Sequence, residues 1–212
     1  MFKYDNKFHR IMTFGFDFMM LNALFLIMSL PVVTIGANVT ALYSVGFQIL
    51  KKDESSLYKT YFKSFKENFK QATGVWGLFL GIILILFWNL TLLGQTTDIP
   101  SIVSTLTIIF LLITLIFLLY MFPLISKFEN SLYVHAKNIL LLSIGYFPYT
   151  ILLMLVNFGP MFIVYRWFPS QYMLVVYSYF IIGFFLTIVL NTIIFYRIFS
   201  NMLRTKKIMQ QN

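Results

Sequence analysis

The chain has no cysteine, only two histidines and only 7 acidic residues in 212. The first absence excludes disulfides, thiolate metal sites and cysteine nucleophiles, and leaves the redox compartment undetermined. His9 and His135 lie far apart, and Glu129 and His135 are six residues apart, which is not a metal-ligand helix spacing, so no metal site is expected. No phosphate-cradling GxxxxGK[ST], no HExxH and no GxSxG occurs. An enzyme working at membrane depth needs a general base there, and Asp17 is the only ionisable candidate, so the sequence argues against an enzyme and implies no cofactor.

What the chain does have is apolar bulk: 59% hydrophobic and 11% charged residues, against about 45–50% and about 25% in soluble domains. This composition predicts an all-α polytopic membrane bundle, one integral domain over residues 1–212, sitting in the plasma membrane. The net charge of +9 falls in short segments between apolar runs, as the positive-inside rule expects, and not in a basic domain that would bind nucleic acid. The lipid bilayer is therefore the first partner.

Four segments have the roughly 20 apolar residues needed to cross: 74–93, 102–122, 139–158 and 171–196. The first apolar region, 11–50, is twice that length, and its run from Ser29 to Tyr43 carries Pro31, Gly36 and two threonines. Proline removes a donor and fixes φ, so a helix over 14–30 stops there and another over 37–50 returns. The basic residues agree: Lys3, Lys7 and Arg10 precede this hairpin, and Lys51 and Lys52 follow it. Asp98 and Arg166 then fall outside, whereas Lys127, Lys137, Arg197, Arg204, Lys206 and Lys207 fall inside, which puts both termini in the cytoplasm. Residues 37–50 are short for a full crossing, so a re-entrant hairpin satisfies the pattern equally. Residues 1–41 do not read as a cleaved leader, because the apolar stretch is too long and no small-x-small site follows.

Between 57 and 70 the pattern becomes amphipathic: Leu57, Tyr58, Tyr61, Phe62, Phe65 and Phe69 on one face, Lys59, Lys63, Lys66 and Lys70 on another. This reads as a helix on the inner surface, serving as an interfacial anchor or as a docking face for a partner. The loop with Glu129 and His135 is a second candidate contact surface.

Other polar residues each have two readings. Asp17 lies near the inner edge, where Lys51 and Lys52 return, so a structural ion pair competes with a coupling role. At the break, Thr34, Gly36, Asn38, Thr40 and Tyr43 surround the N-terminus of the returning helix, as in broken-helix transporters; they equally suit a structural turn anchored by Pro31. Asn89, Asn157 and Asn191 are expected to hydrogen-bond between helices. Trp76, Trp88, Trp167, Tyr165 and Tyr172 read as interface anchors.

Several of these segments together resemble the YesL-like family of bacterial integral membrane proteins. The matching residues are Leu21-Asn22, the Ser29-Leu30-Pro31-Val32-Val33-Thr34-Ile35-Gly36-Ala37 break, Thr40-Ala41-Leu42-Tyr43, the run from Tyr61 to Ala72 with Trp76, then Phe122-Pro123-Leu124, Phe128-Glu129-Asn130 and Lys137-Asn138. The resemblance implies no catalytic residues. It implies an auxiliary role beside carbohydrate ABC-uptake systems or sugar-responsive sensor kinases, with a small transporter or channel using the break as the alternative.

Overall fold

A computed structural model of the chain describes residues 7–93 and 101–209, with side chains described over 12–92 and 102–202. The expectations resting on the side chains of Lys3, Lys7, His9, Arg10, Asp98, Arg204, Lys206 and Lys207 lie outside them. Among the described residues every regular element is helical: α1 Lys7–Met28, a short 3₁₀ turn Val32–Thr34, α2 Ile35–Leu50, α3 Leu57–Leu93, α4 Ser101–Lys127, α5 Leu132–Gly145 and α6 Phe147–Trp167. A second 3₁₀ turn, Pro169–Gln171, leads to α7 Tyr172–Ser178, a π-helical turn Tyr179–Gly183 and α8 Phe184–Met209. Five helical segments among the described residues are long and apolar enough to cross a membrane. Leu84, Ile85, Phe87, Trp88, Phe110, Phe162 and Leu174 are exposed on these segments, as lipid-facing side chains should be.

The broken-helix hairpin forms as expected, with Pro31 extended and α2 beginning at Ile35. Its depth is set by contacts with α3. Gly36 packs against Ala72 and Trp76, Ser44 and Ser64 share a 2.7 Å hydrogen bond, and Gln48 reaches Ser55. The hairpin turn thus lies beside the middle of α3. At 1.5 Å per residue it stops about 25 Å short of Leu93, so α2 does not run the length of α3.

Four of the expected segments differ. Residues 57–70 and 74–93 form one 37-residue helix, so the lysine-bearing segment is the first half of α3 and not a separate surface helix. Gly74 has open space where a side chain would be, and nothing there removes a backbone hydrogen bond. The expected span 139–158 is interrupted at Tyr146 (φ −117°, ψ 40°), giving α5 and α6. Pro148 enforces this, since its ring cannot continue a helix from α5 but is accommodated in the first turn of α6. The Ser143 carbonyl near the break accepts from Thr150 Oγ1 at 3.0 Å. The span 171–196 contains the π turn. By contrast, α4 runs on through Pro123 to Lys127, past the expected end at 122.

The core sits at the end of the bundle where α2, the first half of α3 and the C-terminal parts of α4 and α8 meet. Tyr43, Phe47, Tyr120, Leu124, Ile139, Phe195 and Phe199 form its largest cluster. Leu21, Phe25, Leu42, Tyr61 and Phe185 form a second cluster under α1. Beyond Phe79 no described side chain of α3 is buried, and α7 buries none.

Candidate functional site

The polar residues of the break are used internally. Thr34 Oγ1 donates to the Met28 and Pro31 carbonyls, Asn38 Nδ2 donates to Ser29 Oγ at 3.0 Å, and the Tyr61 hydroxyl donates to Asn38 Oδ1 at 2.8 Å. Thr40 Oγ1 donates to the Gly36 carbonyl. Trp76, expected as an interface anchor, donates its indole N–H to the Val32 carbonyl at 2.7 Å, which ties α3 to the turn. Asn38 and Thr40 are fully buried and Tyr43 nearly so. The break is a hydrogen-bonded joint whose polar side chains already have partners.

Deeper in the bundle, Asn157 on α6 and Asn191 on α8 form reciprocal amide bonds of 3.0 and 3.1 Å, and Asn191 also donates to the Tyr43 hydroxyl. These residues do converge, whereas Asn89 pairs with Thr107 on α4. Asp17 accepts from the Tyr58 hydroxyl at 3.0 Å, and among the described residues the ion pair expected with Lys51 or Lys52 does not form. The Asp17 carboxylate is engaged by α3 instead, and at the end of α2 Lys52 adopts φ 55°, a left-handed conformation that reverses the chain direction.

An open polar cleft of about 980 Å³ lies at this basic end, between the first half of α3, the α2–α3 loop and the end of α4. Lys59, Lys63, Glu67, Asn68 and Gln71 of α3 line one wall. Lys127, Phe128, Glu129 and Asn130 line the other, with Ser44 and Ser64 deeper. Gln71 Nε2 donates to the Asn130 carbonyl at 3.0 Å, joining the walls. Lys63 and Glu67 form an exposed pair at 4.0 Å. The Ser55 backbone N–H and hydroxyl hold the Asp53 carboxyl below its ordinary range.

The expected docking face divides. Tyr61 is fully buried, Phe65 is half-buried between both core clusters, and Phe62 and Phe69 remain exposed. Of its four lysines, Lys59 and Lys63 line the cleft, while Lys66 and Lys70 are exposed outside its lining. His135, expected in an exposed loop, is fully buried in the first turn of α5 with neither ring nitrogen hydrogen-bonded. Sequence reasoning missed the cleft as a cavity, because its far wall comes from a loop some sixty residues away; the Phe128-Glu129-Asn130 segment was the available signal.

The joint, α2 and most of α3 fall in one matched region. Residues 18–90 match the family model described as a protein of unknown function, DUF624. The match spans about a third of the chain and includes the α3 wall of the cleft but not the α4 wall. No curated protein and no solved structure matches the chain.

Proposed function

We propose that this protein is a non-enzymatic membrane subunit that docks a partner at its basic, cytoplasmic end through the cleft between α3 and α4. One observation carries the reading: the polar groups at the break have partners within the fold, while the polar groups of the cleft line an open cavity. A transporter that binds cargo at the break would need Thr34, Asn38 or Thr40 to exchange an internal partner for the cargo. The partner surface offers cations from Lys59, Lys63 and Lys127, carboxylates from Glu67 and Glu129, and an apolar patch at Phe128. A partner loop of mixed charge with an apolar anchor complements it.

The nature of the partner follows from the resemblance of the break and of the 61–72 segment to YesL-like proteins. On that reading the partner is a subunit of a carbohydrate ABC-uptake system or a sugar-sensing kinase. The test is co-purification of the tagged chain from crosslinked bacterial membranes, compared with a Lys59→Glu, Lys63→Glu double variant of equal membrane level. Recovery of a sugar permease, its ATPase or a sensor kinase that the double variant loses supports the reading. Recovery of the chain alone, together with sugar or ion flux in liposomes that Thr34→Val reduces, would replace it with the transporter reading.

A further inference from the structure

The first half of α3 presents two different faces. Ser64, Asn68 and Gln71, spaced three or four residues apart, line the cleft. Phe62, Lys66 and Phe69, at the same spacing, fall on the other side of the helix, and Lys70 follows Lys66 by one turn. All four side chains are exposed. The one acidic residue of α3, Glu67, lines the cleft and pairs with Lys63, and among the described residues neither Lys66 nor Lys70 is in an ion pair. Asp17 on α1 is engaged by Tyr58, two turns before Lys66. The outer face is therefore cationic and aromatic, with no carboxylate to balance it.

Two contacts fix the height of this face in the bundle. Gln71 donates to the Asn130 carbonyl, just past the end of α4 at Lys127. Ser64 bonds to Ser44, one turn before Phe47, and Lys127 Nζ lies 5.0 Å from the centre of the Phe47 ring. Both ties set residues 64–71 level with the charged end of α4. From Ala72 to Leu93 α3 has no charged residue, and that stretch is long enough for a hydrocarbon core of about 30 Å. The boundary between acyl chains and headgroups at the basic end thus passes along Lys66 and Lys70. The Asp17–Tyr58 and Val32–Trp76 contacts hold the α1–α2 hairpin against the same half of α3, and Met12, Phe16, Met19 and Met20 are exposed along α1.

We propose that this outer face binds anionic phospholipid in the leaflet at the basic end, with Lys66 and Lys70 donating to headgroup phosphates and Phe62 and Phe69 set among the adjoining acyl chains. A lysine stem lies along apolar surface while its ammonium group reaches the headgroup level, which suits lysines alternating with exposed phenylalanines. A zwitterionic head offers a phosphate together with its own cation, so a lipid of net negative charge is the better complement to two unpaired ammonium groups. The surface is separate from the cleft, and its occupant is lipid whichever protein docks there.

The experiment titrates the purified full chain in detergent with phosphatidylglycerol or phosphatidylcholine and counts retained lipid by native mass spectrometry. Phosphatidylglycerol should be retained in preference, and added salt should weaken that preference. Lys66→Gln and Lys70→Gln should each lower the apparent affinity for phosphatidylglycerol about fivefold. The Lys66→Arg, Lys70→Arg double variant should keep it, which separates lost binding from lost folding. Lys59→Gln, Lys63→Gln, on the cleft wall, should leave it unchanged. Equal retention of the two lipids by the parent chain, or an equal loss in the cleft-wall variant, overturns the site. Parental retention in Lys66→Gln, Lys70→Gln also overturns it and leaves the outer face to an acidic protein partner.

Discussion

Asn22 Oδ1 on α1 accepts a 3.0 Å hydrogen bond from the Phe185 backbone N–H, 163 positions along the chain. The same amide donates to the Tyr179 and Phe180 carbonyls. A π-helical turn displaces backbone groups from their usual partners, and Asn22, itself fully buried, supplies three replacements at once. Replacing Asn22 with Leu keeps the branching at Cγ and removes all three. The expected loss is about 1–3 kcal/mol, read from denaturant unfolding in detergent. A variant as stable as the parent would mean that the π turn relaxes to an ordinary α-helix without its clamp.

A Cβ added at Gly36 would meet the Ala72 carbonyl oxygen at 2.5 Å and Trp76 Cβ at 2.6 Å. One of these is backbone, so neither can swing aside. Gly36→Ala should therefore cost about 1–3 kcal/mol by forcing α2 away from α3. The corresponding change at Gly46 meets the Thr192 side chain instead, its hydroxyl oxygen first at 2.5 Å, and the double variant Gly46→Ala, Thr192→Ala, which removes that hydroxyl, should be milder. Equal melting losses for Gly36→Ala and for that double variant would contradict the argument.

Stability should depend on pH through His135. Burial pushes its imidazole below the ordinary value, and neither ring nitrogen has a hydrogen-bond partner that would favour the charged form. The unfolded chain titrates near about pH 6.5 and so binds the proton first on acidification. The contribution is fully present above that pH and is lost as pH falls toward the folded value. Melting temperatures should be flat between about pH 8 and 7 and decline below about 6.5, with a shallower decline in His135→Leu. Parallel profiles for the two proteins would assign the acid sensitivity to other groups.

Lys52 is the only described non-glycine residue with positive φ, at 55°. The left-handed conformation costs a residue with a Cβ about 1–2 kcal/mol, and glycine avoids that cost at the expense of a more flexible unfolded chain. Lys52→Gly should therefore stabilise the protein by up to about 1 kcal/mol in the same unfolding assay. A destabilised Lys52→Gly would show that the lysine charge contributes more than the backbone strain removes.

The hairpin was legible because Pro31 and Gly36 act locally, on the residues beside them. Pro148 acted by the same rule and broke the segment 139–158, although the unbroken apolar run around it pointed to one span. The continuity of α3 was not legible, since a change from lysine-bearing to apolar faces at Gly74 alters the surroundings of a helix and not its hydrogen bonds. The π turn had no local signature at all: its stabilising groups belong to Asn22, which is remote in sequence. At the site, each polar residue of the break was visible singly. Its pairing with Ser29, Tyr61 or Met28 came only with the packing of α1, α2 and α3, and that packing turned candidate ligands into internal contacts.

The short reach of the α1–α2 hairpin gives the protein a taper. At the basic end α1, α2 and α5 pack around α3, α4 and α8, whereas beyond Trp76 the buried side chains of α3 run out at Phe79 and α7 has none. A wedge of this kind displaces unequal areas in the two leaflets, so lipids around the wide end are crowded and those around the narrow end must splay. The energy of the protein in a membrane therefore depends on the local curvature of that membrane as well as on the chemistry of its lipids.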